Sequence, residues 1–425
     1  MPPIRFIHAA DLHLDAAFSG LSRDIPADFA ERLRTATFTT FRRLLDLCER
    51  ESPDFLLLAG DVYNQEDASV SAQLALRDGF RRLESLSIPV FLVHGNHDPL
   101  ASRLRSVRWP GNVTVFGELP DAVPVFRKGE GTPFAIIHGA SHASGRETRN
   151  LAALFRRTEA CGLHVGLLHA TPGDADGVAR YAPFSQEDLK ASGMDYWALG
   201  HIHDRREVCR EPLAAYPGCT QGLHINEPGE KGCLLVTAEA RSDGGYAVRT
   251  SFRPLGPAVW KTLDMDLGGA ASLDELENRL RTGLDRAAAE VWSGCEMLLV
   301  RLRLQGRTEL DGLLRKGTTC AELADRLREG GNGVPRIWIK DIDVATRPCV
   351  ERGALLERED LLGEVFRLSE AARTASGLQA LREGPLAPLF AHARAGKALE
   401  PLTDEELARL LDDAESLCLD LLEND

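Results

Sequence analysis

The sequence predicts a layered α/β domain, followed by a smaller α+β domain and by C-terminal helices. Three observations lead to this prediction. Short runs of Ile, Val, Leu and Phe in the first half end abruptly at clusters of Asp, His, Gly or Asn, and the segments between the early runs have helical periodicity. After Pro254 the chain alternates between strand-like and helical segments. Because continuous apolar runs of this length suit strands buried on both faces, helices are expected to pack against the resulting sheet.

Five apolar runs define the first domain, which we place at residues 1–254. Helices are predicted between the first three runs, over 27–51 and 70–86, because leucines and phenylalanines recur there on one helical side. Functional groups of such sheets gather at the carboxyl ends of the strands, where each run ends in polar residues. The runs are IRFIHAADLH from Ile4, DFLLLAGD from Asp54, PVFLVHGNHD from Pro89, LHVGLLHA from Leu163 and DYWALGHIHD from Asp195.

The small α+β domain is predicted at residues 255–348, and a helical region is predicted over 349–425. VWKTLDMDL, EMLLVRLRLQGR and RIWIKDIDVATR have the alternation of strands, and the segments between them have helical periodicity. The last helix carries a broad leucine stripe and begins at Thr403, with Glu406 in capping-box position. This stripe indicates that the last helix either binds a partner or packs against the rest of its own chain.

Composition excludes several classes of protein. No segment reaches the ~18 consecutive apolar residues of a membrane span, and the start MPPIRFIHAADLH has neither the apolar region nor the cleavage site of a secretory signal. We therefore expect a cytoplasmic protein. The nine cysteines form no C-x-x-C pair, which favours reduced packing residues over a disulfide or zinc framework.

The net charge of −14 argues against binding of a polyanion through the overall field of the protein. The charge is concentrated in the tail 401–425, where nine acidic residues and one arginine give −8, which leaves −6 for the preceding residues. A polyanionic substrate would therefore need metal ions, a local basic face or a basic partner.

Seven residues at the strand ends are candidate metal ligands. Their mixture of carboxylates and imidazoles suits Mn²⁺, Fe²⁺ or Zn²⁺ more than calcium. They are too many for one tetrahedral ion, whereas two ions ~4 Å apart, bridged by one carboxylate, would use them all. The spacing of two residues also places Asp11 with His13 on one face of an extended segment. The seven are Asp11, His13, Asp61, Asn96, His169, His201 and His203.

These motifs resemble those of the calcineurin-like metallophosphoesterases. DLH, GD, GNHD, a lone histidine and GHIH occur here in that family's order. Within the family the chain is most similar to the SbcD-type DNA repair exonucleases, particularly their YhaO-like branch, because of its HAADLHLD opening, its GDVYNQED spacing and its length. The motif resemblance covers about residues 1–225. It implies a β-sheet sandwich flanked by helices, with a capping domain at 255–348 that helps to select DNA.

The resemblance also assigns roles to individual residues. His97 is left free of metal and resembles the histidine that stabilises the transition state or protonates the leaving oxygen, and Asp98 is a candidate to orient its ring. The ions are expected to be Mn²⁺, with Fe²⁺ or Zn²⁺ as alternatives. One metal is assigned to Asp11, His13, Asp61 and His203, and the second to Asp61, Asn96, His169 and His201, with Asp61 as the bridge.

Substrate contacts are expected from Arg103 and Arg105, which follow GNHDPL, and from Tyr181. The two arginines offer local charge for phosphates, and the alternative is that they lie on a solvated helix face. In GDVYN, Tyr63 and Asn64 occupy positions where several repair nucleases of the group carry a histidine that handles DNA. Because Asn64 cannot act as an acid or base, this departure weighs against efficient exonuclease action.

The predicted function is a Mn²⁺-dependent phosphodiesterase that hydrolyses DNA by two-metal activation of water, as the exonuclease subunit of an SbcCD-like double-strand-break repair complex. The resemblance implies DNA, an SMC-like ATPase of the SbcC type bound by the C-terminal helices, and a second copy in a homodimer as partners. Two alternatives stay open. One is a metallophosphoesterase for cyclic nucleotides or nucleotide-linked lipids, which needs no cap of this size. The other is a non-catalytic scaffold for the ATPase, against which the intact ligand set argues.

Overall fold

The chain folds into two compact units. The first unit comprises Met1–Asp266, Leu273–Gln305 and Leu313–Ala345, and the second comprises Leu267–Ser272, Gly306–Gly312 and Thr346–Asp425. The structure is a computed structural model. It describes residues 2–21, 25–64, 69–101, 107–173, 180–242, 244–329, 333–349, 352–392 and 402–422.

The strands and helices are numbered in chain order. The strands are β1 (Ile4–Ala9), β2 (Phe55–Ala59), β3 (Val90–Val93), β4 (Val113–Val115), β5 (Asp121–Val125), β6 (Ala135–Ala140), β7 (Leu163–His169), β8 (Tyr196–Gly200), β9 (Arg206–Arg210), β10 (Leu213–Tyr216), β11 (Gly232–Ala240), β12 (Tyr246–Pro254), β13 (Ala258–Asp266), β14 (Met297–Thr308) and β15 (Arg336–Pro348). The helices are α1 (Ala27–Arg34), α2 (Ala36–Glu51), α3 (Val70–Ser85), α4 (Gln186–Ala191), α5 (Leu273–Glu290), α6 (Asp311–Leu314), α7 (Thr319–Glu329), α8 (Arg352–Leu356), α9 (Leu361–Ala372), α10 (Ala375–Glu383), α11 (Ala387–Ala391) and α12 (Asp404–Leu422). A 3₁₀ helix spans Ala152–Leu154.

Two six-stranded sheets form most of the first unit, and this arrangement confirms the predicted α/β fold class. One sheet has the order β12-β11-β1-β2-β3-β4 and the other has the order β5-β6-β7-β8-β10-β9. The five predicted apolar runs correspond to β1, β2 and β3 in the first sheet and to β7 and β8 in the second. Within each sheet these strands pair in parallel. Their carboxyl ends therefore bring the polar clusters to one end of each sheet.

Strand alternation divides the core of the first unit into two layers. Phe6 in β1 and Tyr196 in β8 belong to the layer between the two sheets. Ile7, the next residue of β1, belongs to the outer layer, where it packs with Phe41 of α2 and Phe80 of α3. Successive residues of a strand point to opposite faces, so a strand that is covered on both sides must be apolar throughout. This requirement explains the continuous apolar runs in the sequence.

The predicted helix over 27–51 is two helices that meet at Thr35. Its backbone leaves the helical region, with φ −97° and ψ 2°, and its hydroxyl donates a hydrogen bond of 3.0 Å to the carbonyl of Glu31. A threonine hydroxyl that bonds to the preceding turn competes with the regular backbone pattern. The break directs α1 towards a separate apolar cluster, where Phe29 packs with Trp260 of β13 and Trp338 of β15.

A three-stranded sheet with the order β13-β14-β15 follows the sandwich. β13 and β14 pair in parallel from Ala258 with Met297 to Asp266 with Gln305. A parallel pair needs a crossover, which α5 provides. The predicted β-α-β-α-β order of this region corresponds to β13, α5, β14, α7 and β15.

The helices of the second unit pack around a small apolar cluster formed by Leu355, Leu362, Phe366 and Leu419. The predicted capping box at the start of α12 is confirmed, because the Glu406 amide donates to the Thr403 hydroxyl at 3.2 Å and the Glu406 carboxylate accepts from the Thr403 amide at 2.7 Å. The leucine stripe of α12 is largely solvent-facing: Leu417 and Leu421 are 59% and 68% exposed. Throughout the described ranges, no helix has the length and apolar character needed to cross a membrane.

Candidate metal centre

The polar clusters that follow five of the strands meet at one place. The loops are joined by backbone hydrogen bonds, such as those from the Asp11 amide to the Gly60 carbonyl and from the His13 amide to the Asp61 carbonyl, both 3.1 Å. Four of the seven predicted ligands have a positive φ, which non-glycine residues rarely adopt and which costs ~1–3 kcal/mol each. Such strain persists only where the surrounding structure holds the residue. These are Asp11, His13, Asp61 and His201, with φ of 51°, 41°, 49° and 102°.

Asp11, His13 and His203 form a first group of ligand atoms. Nδ1 of His13 lies 2.6 Å from Oδ1 of Asn64, and Nδ1 of His203 is bonded to the carboxylate of Glu227. Both partners are acceptors, so each Nδ1 carries a proton and each Nε2 is left for a ligand. The two Nε2 atoms lie 3.2 Å apart. A cation beside them would bind the lone pairs of both rings.

Asp61, His169 and His201 form the second group. Nδ1 of His169 donates to the carbonyl of Ala59 at 2.9 Å, so Nε2 is the nitrogen that a cation can bind once its proton is lost. That Nε2 lies 3.0 Å from Oδ1 of Asn96 and 3.2 Å from Oδ2 of Asp61, and Nδ1 of His201 lies 3.1 Å from the same Asn96 oxygen. Candidate ligand atoms therefore converge here as well.

Asp61 lies between the two groups. Its Oδ2 is 3.2 Å from Nε2 of His169 in the second group and 4.0 Å from Nε2 of His13 in the first. Its Oδ1 accepts a hydrogen bond of 2.8 Å from the amide of His97. A carboxylate in this position suits a ligand shared by two cations. The structure thus brings all seven predicted ligands together, and their assignment to two cations stays a prediction.

Burial and charge show that the site attracts positive charge. Burial lowers the pKa of His169, but the charge and hydrogen bond of Asp61 outweigh this effect and raise the pKa to about 9. Burial raises the pKa of Asp11, and the nearby His169 and His203 only partly oppose the shift. Metal ligands must lose such protons on binding, so cations and protons compete for the same lone pairs. The ligand atoms come from carboxylate, amide and imidazole groups. This mixture suits divalent cations of the Mn²⁺, Fe²⁺ and Zn²⁺ type.

Two glycines allow the close approach of the loops. A Cβ atom at Gly200 would lie 1.9 Å from the carbonyl oxygen of Ala59, and one at Gly95 would lie 2.3 Å from Oδ1 of Asp61. Both distances are too short for a side chain at either position. The glycines in GNHD and GHIH therefore bring the neighbouring strand ends into contact, in addition to forming turns.

His97 lies beside the two groups but belongs to neither of them. Its ring is exposed, and its centroid is 5.2 Å from that of His13 in an edge-on arrangement. This placement agrees with the expectation that the ring faces a substrate, and it leaves the role of His97 as a prediction.

The expected role of Asp98 needs correction. Its buried carboxylate accepts hydrogen bonds from three backbone amides, those of Gly95 at 2.7 Å, Val62 at 3.0 Å and Asp61 at 3.2 Å. In the described part of the chain it makes no hydrogen bond to the His97 ring. Asp98 therefore joins the GD loop to the GNHD loop, because a buried carboxylate is stabilised by amide donors that the two tight turns leave unpaired.

The predicted substrate contacts have different outcomes. Arg103 and Arg105 lie outside the residues that the structure describes. Tyr181 lies beside the site, with its ring 5.3 Å from that of His201 and an interplanar angle of 76°. Its amide is bonded to the hydroxyl of Thr171, two residues after His169. The structure thus places Tyr181 at the edge of the second group.

Two residues that touch the candidate ligands were not predicted from the sequence. Asn64 was recognised only as a departure from the family pattern, yet its side chain accepts the hydrogen bond from His13. Glu227 lies in a segment with no motif, and its buried carboxylate contacts His203. Cys219 lies close to the same two side chains and forms a third group with them. An acidic residue in a polar segment after the last motif is a weak sequence signal for Glu227.

Comparisons with known proteins agree with this geometry. Residues 4–205 match the calcineurin-like phosphoesterase family, and residues 260–347 match the middle domain of the metallophosphoesterase YhaO. The chain is 34% identical over 388 residues to the metallophosphoesterase YhaO of Bacillus subtilis (strain 168), covering 90% of this chain and 91% of that protein.

More distant relatives include the DNA double-strand break repair protein Mre11 of Aeropyrum pernix, which is 26% identical over 315 residues, or 68% of this chain and 69% of that protein. The crystal structure of TT1561 of Thermus thermophilus matches 59% of this chain and 99% of its own, with a TM-score of 0.34 and 13% identity. The match to YhaO along almost the whole of both proteins, together with the five motifs around the candidate centre, shows that this chain belongs to the YhaO-type metallophosphoesterases of the calcineurin-like phosphoesterase family.

Proposed function

We propose that the chain is a phosphodiesterase that hydrolyses DNA, with Mn²⁺ as its metal, and that it acts as the exonuclease subunit of an SbcCD-like repair complex. The observation that carries the phosphodiesterase proposal is the position of Asp61, whose Oδ2 lies within 4.0 Å of imidazole nitrogens from both groups. A pair of cations sharing this carboxylate suits an in-line displacement at phosphorus. The similarity to proteins named for DNA double-strand break repair supports DNA as the substrate.

Each side chain of the centre has a definite part in this proposal. Two divalent cations would supply Lewis-acid charge to the phosphate and lower the pKa of water. Asp11, His13 and His203 would hold one of them, and Asn96, His169 and His201 the other. The bonds of His13 Nδ1 to Asn64 and of His169 Nδ1 to Ala59 fix each ring so that Nε2 is the nitrogen offered to a cation.

His97 is proposed to act on the phosphate and not to bind a metal. Its amide is bonded to Asp61, which keeps the residue beside the shared carboxylate, while its ring stays exposed to solvent. An imidazole in this position can donate a hydrogen bond or a proton to an oxygen of the substrate. We propose that it stabilises the transition state or protonates the leaving oxygen.

We further propose that the C-terminal helices bind the coiled-coil base of an SMC-like ATPase. The support from the second unit is an exposed set of leucines, Leu361 and Leu368 on α9 and Leu417 and Leu421 on α12. Exposed apolar side chains mark an association surface where they form a contiguous patch. A homodimer and a cytoplasmic location stay predictions.

The test uses the purified chain and the isosteric variant Asp61→Asn. Both proteins are incubated with Mn²⁺ and with linear duplex DNA, single-stranded DNA, hairpins, cyclic nucleotides and bis(p-nitrophenyl) phosphate. We expect metal-dependent cleavage of DNA and of the chromogenic diester by the unsubstituted chain, and neither by the variant. Turnover of cyclic nucleotides with none of DNA would instead support a small-molecule enzyme. Inactivity towards every substrate would support a scaffold.

A further inference from the structure

We propose that Glu227 is a positioning residue that fixes the ring orientation and tautomer of His203, and that strand β13 holds Glu227 in place. The inference rests on the proposed metal-dependent function and identifies a residue that this function needs. Glu227 lies outside every motif of the sequence, and it is 5% exposed. A carboxylate buried to this extent requires bonded partners, because burial of an unpaired charge is costly.

Both oxygens of Glu227 have partners. Oε1 accepts the hydrogen bond from Nδ1 of His203, and Oε2 accepts one of 2.6 Å from the amide of Leu223. Nε2 of His224 also lies 3.2 Å from Oε1. The amide of Glu227 is bonded in turn to the carbonyl of His224 at 2.9 Å. The carboxylate is therefore held in a tight turn and cannot rotate away from the His203 ring.

The contact determines which nitrogen of His203 is available to a cation. Because the carboxylate accepts at Nδ1, a cation can bind only at Nε2, which lies 3.2 Å from Nε2 of His13 and 3.9 Å from Oδ1 of Asp11. A carboxylate on the far nitrogen of a ligating imidazole fixes the ring and increases its basicity. Lys231 also restrains the residue by donating a hydrogen bond of 3.0 Å to the carbonyl of His203.

Glu227 adds charge to one group more than to the other. The Nδ1 atoms of His13 and His169 are bonded to neutral oxygens, from the Asn64 amide and the Ala59 carbonyl. His203 has a carboxylate in the equivalent position. Loss of Glu227 should therefore lower the affinity for the cation held by Asp11, His13 and His203 more than the affinity for the second cation.

Strand β13 anchors the segment that carries Glu227. Gln221 exchanges two hydrogen bonds with the backbone of Ala258, of 2.8 Å and 3.2 Å. The Trp260 indole donates to the carbonyl of Gly222 at 3.1 Å, and the Trp260 carbonyl accepts from the amide of Gly229 at 2.9 Å. The turn that contains Glu227 is thus bonded to β13 on both sides. A displacement of β13 would move Glu227 and, through it, His203.

The experiment measures Mn²⁺ binding by calorimetric titration of the full chain, without any nucleic acid. Glu227→Ala should weaken one of two binding steps by about ten- to a hundredfold and leave the other within a few-fold. Glu227→Gln keeps an oxygen that can accept from His203 but lacks the charge, so it should lose less. Trp260→Phe should weaken the same step by a smaller factor. Glu239→Gln is the control, because Glu239 is an exposed carboxylate 3.7 Å from Arg249.

A second measurement separates positioning from a general loss of structure. The visible absorption of Co²⁺ bound to the chain reports ligand geometry, and it should change for Glu227→Ala but not for Glu239→Gln. If Glu227→Ala does not fold, as judged by circular dichroism in EDTA, Glu227→Gln carries the test. Unchanged affinities and spectra in the folded Glu227 variants would overturn the proposal. If the Glu227 variants weaken Mn²⁺ binding and Trp260→Phe does not, the proposal that β13 holds Glu227 in place is overturned.

The outcome does not depend on the substrate. If the chain binds two Mn²⁺ ions and the Glu227 variants weaken one of them while no DNA is cleaved, the DNA proposal fails and the positioning role stands. If DNA is cleaved and the Glu227 variants bind both ions normally, the positioning role fails and the DNA proposal stands.

Discussion

Oδ2 of Asp61 lies 3.2 Å from Nε2 of His169, within reach of a hydrogen bond, although this nitrogen has to be free of its proton to bind a metal. Although burial raises the pKa of Asp61, the charge and hydrogen bond of His169 lower it below the ordinary range. The pair therefore retains a negative charge and a proton in the absence of a cation. Asp61 is the centre of the site because it lies between both groups of ligand atoms.

Asp61→Asn should abolish tight binding of both Mn²⁺ ions. The amide has the shape of the carboxylate but no charge, and a shared ligand contributes to both cations. Equilibrium dialysis followed by metal analysis measures the number of ions bound per chain. Asp46→Asn is the matched control, since Asp46 is an exposed residue that pairs with Arg82. Two tightly bound ions in Asp61→Asn would contradict the bridging role.

His97→Ala should keep both ions and lose turnover by about a hundred- to ten-thousandfold, the range for removal of a general acid. The exposed ring lies outside both groups of ligand atoms, so its loss should leave the metal affinity unchanged. Steady-state cleavage of a diester and metal analysis on the same preparation test the two parts of the prediction. If the metal content falls with the activity, His97 has been assigned wrongly.

Asp98→Ala should lower the free energy of unfolding by about 3 kcal/mol or more. The substitution leaves three buried backbone amides without an acceptor, and each unsatisfied group costs about 1–3 kcal/mol. Urea unfolding in EDTA measures the change, and Asp98→Asn should lose less because one amide oxygen remains. Normal stability combined with lost turnover would instead indicate that Asp98 orients His97.

Gly200→Ala should destabilise the first unit by about 1–3 kcal/mol or more, because the new methyl group would meet the Ala59 carbonyl at 1.9 Å. The clash pushes the end of β8 away from the end of β2. Thermal unfolding with and without Mn²⁺ should show lower stability and weaker metal binding. Gly117→Ala is the control, since a Cβ atom there meets nothing within 4 Å. Equal stability of the two variants would show that the strand ends can separate freely.

The stability of the metal-free chain should fall as the pH decreases from about 6.5 to 4. Burial lowers the pKa of His138 to about 4 and that of His8 to about 3. Below the ordinary histidine pKa of about 6.5, these two histidines bind protons in the unfolded chain but stay neutral in the folded chain. Unfolding is therefore favoured as the pH falls. Melting temperatures in EDTA measure the dependence. His138→Gln should have a flatter profile over this window, and a profile identical to that of the unsubstituted chain would contradict the assignment.

Much of the fold could be predicted because its signals are local. The runs that became β1, β2, β3, β7 and β8 are continuous and apolar, and the helices have a clear period. The short strand β4, with three half-buried residues, has no such signal. The distribution of the strands between two sheets also could not be predicted, because strand pairing joins residues far apart in the chain. β1, for example, pairs with β11, with Ile4 opposite Ala238.

The residue types in DLH, GD, GNHD and GHIH, and their position after buried strands, are sufficient to predict two cations. The contacts that hold each side chain appear only in the folded chain. There Asn64 contacts His13, Glu227 contacts His203, and Asp98 binds backbone amides of two loops. Motif spacing could not reveal these contacts, because it reflects only the local direction of a strand or turn. A hydrogen bond between residues 24 positions apart, such as that of His203 with Glu227, exists only after the intervening loop has folded back.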